Sequence, residues 1–212
     1  MKRFTLLEMM VVIIIIALLA SFLLPSLARA KYKSKLVSCM SNQKNQSIAY
    51  ISYAKDNSGK YPTRIDEGYW PFGNLDGGIG DTVARGPAML YEGNYLTDGT
   101  LFYCPVRTGF WIKEDKHWNP DNWAKTWIEY SYWVNYDKSS TDDVALDVTS
   151  NADTIITSDL TGTVSGDFKR SAHMYQNKFM SSNHLFNDGH VETLLLDDLE
   201  LKFNYGGMDF YY

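Results

Sequence analysis

The run FTLLEMMVVIIIIALLASFLLP, from Phe4 to Pro25, constrains this 212-residue chain more than any other stretch. Phe4 to Leu24 spans 21 residues, and a helix of about 20 apolar residues crosses the hydrocarbon core of a bilayer. One residue in the run, Glu8, is a carboxylate. An acid at the bilayer centre costs on the order of 2.5–3.5 kcal/mol on insertion scales. Glu8 lies near the start of the run, where reaching to the interface lowers that cost. It is either a tolerated interfacial acid or an acid with a partner. An α-amino group suits that role, because a cut before Phe4 would leave a new amine four residues from Glu8. A cleaved signal peptide is a rival reading, since Ala28-Arg29-Ala30 has the small-x-small pattern of a cleavage site. Basic residues flank the run on both sides, Lys2 and Arg3 before it and Arg29, Lys31, Lys33 and Lys35 after it, so they do not set its orientation.

Beyond Pro25 the helical pattern continues. Leu36, Val37, Met40, Ile48 and Ile51 recur at spacings that suit one helical face. Pro25 lacks a backbone donor and is expected to bend the helix. NSGKYP, Asn57 to Pro62, is a stop signal. The expected organisation is a leader at 1–3, a long helix at 4–56 (4–24 transmembrane, 25–56 amphipathic) and a globular head at 57–212. In the head, Tyr61 to Gly86 reads as loop. GPAMLYEGNY reads as a short helix with Pro87 in its first turn and Gly93 at its end. WIEYSYWVNY (127–136) and DTIITSDL (153–160) have strand composition. NHLFNDGHVETLLL reads as a hairpin with a two-residue Asp188-Gly189 turn. The fold class expected is α+β: a long N-terminal helix packed on a small antiparallel sheet.

The formal net charge of −5 argues against a nucleic-acid partner, which would need a basic face. With 15% aromatic residues the head is not a disordered tail. GGIG near Gly77 has neither the preceding strand nor the following Lys of a phosphate loop. His173, His184, His190, Asp159 and Asp188 suggest a metal or catalytic group, but their spacing is not compact. Turn chemistry accounts for Asp188, and His184 and His190 flank the turn as candidates for a cross-strand pair. No G-x-S-x-G and no paired catalytic motif points to an enzyme.

FTLLEMMVV, the apolar run after it and then a proline resemble the N-terminal cleavage and methylation segment of type IV prepilins and type II secretion pseudopilins. The matching features are a short basic leader (Met1 to Arg3), Phe4 as the first mature residue, Glu8 and Pro25. The resemblance implies a pilin-like fold and cleavage of Arg3–Phe4 by a prepilin peptidase with methylation of the new amine. It also implies a role for Glu8 in registering each subunit against other pseudopilins in a filament. The anchor would then sit in the inner membrane with the head in the periplasm or at the cell surface. Arg3 departs from the glycine usual before the cut.

NHLFNDGHVETL, with Asp188, Gly189 and His190, is similar to the C-terminal signature of pseudopilin-like H-x9-DG proteins. SKLVSCMSNQKN, YAKDNSGKYP and LFYCP also resemble segments of those chains. The spacing departs from that name, because fourteen and three residues, rather than nine, lie between His173 or His184 and the Asp188-Gly189 pair. Calcium is a candidate ligand, since major pseudopilins bind it, and Asp137, Asp142, Asp143 and Asp147 offer carboxylates without the ordered spacing of a calcium loop. A solvated acidic loop is the plainer reading. The topology implied by the resemblance puts Cys39 and Cys104 in an oxidising compartment. A disulfide between them would close 66 residues and contribute about 4 kcal/mol. Two buried thiols are the alternative. A second function class is a membrane-anchored module that binds polysaccharide through its aromatic-rich head.

Overall fold

In a computed structural model, the structure describes residues 5–62, 73–74, 86–106, 127–128, 130–132, 147–159, 161–164, 171, 173–176, 178–199, 201–205 and 208–211. Arg3, Phe4, Asp137, Asp142 and Asp143 lie outside the described residues, as does most of the expected loop at 61–86. So do the side chains of the six tryptophans on which the polysaccharide reading leans.

Helix α1 runs unbroken from Leu6 to Asp56, through Pro25. At about 1.5 Å per residue it is roughly 77 Å long. Its start is a capping box: Glu8 N–H donates to Thr5 Oγ1, and the Glu8 carboxylate accepts from Thr5 N–H at 2.8 Å. Its end is set by the predicted stop. Gly59 N–H donates to Ala54 C=O at 2.7 Å, while Ser58 takes the left-handed conformation with φ 57°. That is the bond pattern that ends many helices, with serine where glycine is usual.

The head is α+β. Helix α2 covers Ala88–Glu92, with Pro87 before it and Gly93 after it, as its sequence predicts. Strands β1 (Gly73–Asn74) and β2 (Trp127–Ile128) pair with each other. The main sheet contains β3 (Tyr130–Tyr132), β4 (Ile155–Asp159), β6 (His173–Tyr175), β7 (Lys178–Phe186) and β8 (Val191–Leu194). Its order is β3-β4-β7-β6, with β8 also pairing with β7, and all its pairings are antiparallel. A second sheet has the order β5-β10-β9, from β5 (Gly162–Val164), β9 (Leu201–Tyr205) and β10 (Met208–Tyr211).

The rear half of α1 packs on β7, β8, α2 and the 3-10 turn at Gly99–Phe102. Tyr50, Ala54, Tyr61, Leu90, Phe102, Ile156 and Leu185 form the main apolar core. The face of α1 that is buried follows the expected apolar stripe only at Leu36 and Met40, which are half-buried. Cys39, Gln43, Gln46, Ser47, Ala49, Tyr50 and Ala54 are buried, whereas Val37, Ile48 and Ile51 stay exposed. The cause is what lies opposite. Backbone carbonyls of the head point at the helix and need donors. Gln43 donates to Asn183 C=O at 3.2 Å, Gln46 to Leu101 C=O at 2.7 Å and Asn42 to Tyr103 C=O at 3.0 Å.

The β7–β8 connection corrects the two-residue turn. Phe186 N–H bonds His190 C=O and Gly189 N–H bonds Phe186 C=O, so the loop holds three residues, Asn187 to Gly189. Gly189 has φ 85°, a conformation that costs a residue with a Cβ about 1–2 kcal/mol. The cross-strand partner of His184 is therefore Glu192 rather than His190.

Candidate functional site

The structure gathers Cys39, Cys104, Asp159 and His173 into one cluster. Their ligand atoms, two sulfurs, a carboxylate oxygen and a ring nitrogen, all lie within 4.8 Å of one another. Each comes from a different part of the fold. Cys39 is on the buried face of α1, and Cys104 lies just past the 3-10 turn at Gly99–Phe102. Asp159 ends β4, and His173 begins β6. Val106 is buried beside the two cysteines, with Tyr32 and Leu36 of α1 packed against them.

The polar contacts inside the cluster are short. His173 Nε2 is 2.9 Å from Asp159 Oδ2 and 3.3 Å from Cys39 Sγ. Cys39 Sγ is 3.1 Å from Asp159 Oδ1. The surroundings hold these groups in place. Asn183 N–H donates to Asp159 Oδ2 at 2.7 Å, and Gln43 Nε2 reaches Asp159 Oδ1 at 3.4 Å. On the far side of the imidazole, His173 Nδ1 is 3.2 Å from Ser181 Oγ.

Burial and mutual charge set the protonation states. Burial acts to raise the Asp159 pKa, but the positive charge and hydrogen bond of His173 hold it below the usual carboxylate range. Burial acts to lower that of His173, but Asp159 lifts it to about 10. For Cys104, burial pushes upward while hydrogen bonds from Cys39 and His173 pull downward, leaving the thiol at about 7. A cysteine, an imidazole and a carboxylate in contact are the components of a nucleophilic site. Here Cys39, Asp159 and His173 are each 0% exposed and Cys104 is 3% exposed. Closed sites of this kind suit an ion or a lock between elements.

Of the five histidines and aspartates that sequence reading grouped, only His173 and Asp159 enter the cluster. His184 is fully buried, and neither of its ring nitrogens finds a hydrogen-bond partner among the described residues. Burial lowers its pKa to about 4, so it is neutral. His190 and Asp188 bond to each other at the exposed hairpin tip, where His190 also stacks on Phe186 with ring centroids 4.4 Å apart. Gly189 at that tip is buried against Ser47 and Ile51 of α1, and Lys44 Nζ donates to its carbonyl at 2.6 Å. The Asp-Gly signature thus serves to dock the hairpin on the helix. Asp147 accepts from Thr149 N–H and Oγ1, a local turn. Cys39 and Cys104 do come together, and the signal that was missed is that His173 and Asp159 join them. No spacing rule covers residues drawn from four separated segments.

Among the described residues one helix, α1, is long and apolar enough to cross a membrane, with a mean hydropathy of 2.8 in its apolar window and none of that window buried. No family model, no curated protein and no solved structure matches this chain.

Proposed function

We propose that this chain is a structural pseudopilin subunit, anchored in the inner membrane by one span with its head in the periplasm or at the cell surface. In this reading a prepilin peptidase removes Met1 to Arg3 and methylates the amine of Phe4. The mature subunit then joins other pseudopilins in a filament of the type II secretion or type IV pilus kind. The observation that carries the reading is the division of α1. Its first half is apolar and none of its apolar window is buried, while its second half is fixed to the head by buried amides. An uncovered apolar rod on a folded head has the form of a unit that repeats head to tail, and such contacts generate helical filaments.

Glu8 provides the test, because its carboxylate already has a local use in the capping box. Glu8→Gln keeps a side chain able to cap but removes the charge, whereas Glu8→Ala removes both. Crosslinking between subunits in the membrane fraction is expected to fall in both variants. Wild-type crosslinking in Glu8→Gln, with loss only in Glu8→Ala, would mean that Glu8 acts as a cap and not as the partner of an amine. Intact mass of extracted protein is expected to show a chain beginning at methylated Phe4. Recovery of only the Met1 form, with the peptidase present, would overturn the processing step.

A further inference from the structure

We infer that Cys39, Cys104, Asp159 and His173 form a structural zinc site that fastens α1 to the head. This inference does not depend on filament assembly. Zinc takes four ligands from cysteine, histidine and carboxylate donors, and its structural sites are closed to solvent. All four donors here are of those types, and all are buried.

The geometry fits. A tetrahedron with metal–ligand distances of about 2.0–2.3 Å has edges of about 3.3–3.8 Å. Three residue pairs now lie at 2.9 Å (His173 Nε2 to Asp159 Oδ2), 3.1 Å (Cys39 Sγ to Asp159 Oδ1) and 3.3 Å (His173 Nε2 to Cys39 Sγ), and one ligand atom from each of the four residues lies within 4.8 Å of the others. Small shifts of the side chains would bring these separations to the edges of a tetrahedron. The outer contacts are those that orient metal ligands. Ser181 Oγ engages His173 Nδ1, which leaves Nε2 to face the cluster. Asn183 N–H and Gln43 Nε2 hold the Asp159 carboxylate from outside. Binding would displace the thiol protons, as the sulfurs become thiolates, and also the Nε2 proton of His173, so that the imidazole binds in its neutral form. Two thiolates with one imidazole favour zinc over calcium or magnesium, which select oxygen ligands. No redox step is involved.

The test uses the full-length chain purified in detergent without chelator. Metal analysis is expected to give one zinc per chain. Cobalt(II) exchanged into the site is expected to show tetrahedral d–d bands and a sulfur-to-cobalt charge-transfer band, and Cys39→Ser, which keeps only the Cys104 sulfur, should weaken the latter by about half or fail to bind. Since that variant may unfold, the wild-type chain carries a second measurement. A strong chelator is expected to lower its Tm by at least about 5 °C, and added zinc to restore it. Denatured, chelated protein should show two alkylatable thiols without prior reduction. Absence of alkylatable thiols until reductant is added would mean a Cys39–Cys104 disulfide and overturn the site. Two thiols with no bound zinc and no response of Tm to zinc would overturn it equally, as would iron in place of zinc.

Discussion

The two halves of α1 obey opposite rules. From Leu6 to Leu24 the helix exposes leucine, isoleucine, valine and phenylalanine, with side chains such as Ile13 62% and Phe22 71% accessible. From Cys39 to Ala54 it buries glutamine, serine, cysteine, alanine and tyrosine, and leaves Ile48 and Ile51 outside. In the first half the apolar effect is unsatisfied by the chain itself, so something apolar must cover it. In the second half, hydrogen-bond geometry chooses the buried face. The lesson is that apolar periodicity reads a helix face correctly only when the opposing surface is also apolar. Here the opposing surface carries the carbonyls of Asn183, Leu101 and Tyr103.

The largest effect that tests this contrast is at Gln43. Gln43→Ala removes a buried donor shared by Asn183 C=O and Asp159, and is expected to destabilise the head by about 3 kcal/mol. Chemical denaturation followed by the fluorescence of the head measures it. A loss below about 1 kcal/mol would mean that the polar seat is not what fixes the rear half.

Next in size is an acid effect on β7, the strand under the rear half. The pKa of His184 is depressed in the fold to about 4 from an ordinary value near 6.5. The unfolded chain therefore binds the proton first. The stability contributed by neutral His184 is complete above pH 6.5 and falls as pH drops towards 4. Between pH 7.5 and 5 the expected loss is about 2 kcal/mol. His184→Leu should remove that part of the acid dependence when both proteins are compared with chelator present. An unchanged slope in the variant would assign the acid sensitivity elsewhere.

The smallest expected effect is at Ile48, which is 60% exposed. Ile48→Lys should change head stability by no more than about 0.5 kcal/mol. A large loss would restore the apolar stripe that the sequence suggests.

Legibility followed the range of the interactions. The stop after Asp56, α2 between Pro87 and Gly93, and strand β4 all depend on neighbours in sequence, and each was readable, whereas the equally local capping box of Thr5 and Glu8 was missed because Glu8 was read for its charge. The turn at Asp188-Gly189 was readable as a hairpin but not in its length, because a residue at positive φ suits two-residue and three-residue loops alike. The buried face of α1 was not readable, because its partners are carbonyls remote in sequence. The cluster was half visible. Its cysteines were paired with each other and its His173 and Asp159 grouped with other residues, and only the fold joins the two sets.

The positions of those four residues also order events in time. Cys39 emerges early from the ribosome, Cys104 midway, and Asp159 and His173 only when most of the chain exists. Contacts so distant in sequence close slowly, since the intervening loops must be ordered first. Helix α1 can form and enter its apolar surroundings long before its rear half has a seat. Attachment of helix to head therefore reports that the head is nearly whole. A chain truncated before His173 would keep its long apolar helix yet lack one of the four clustered residues.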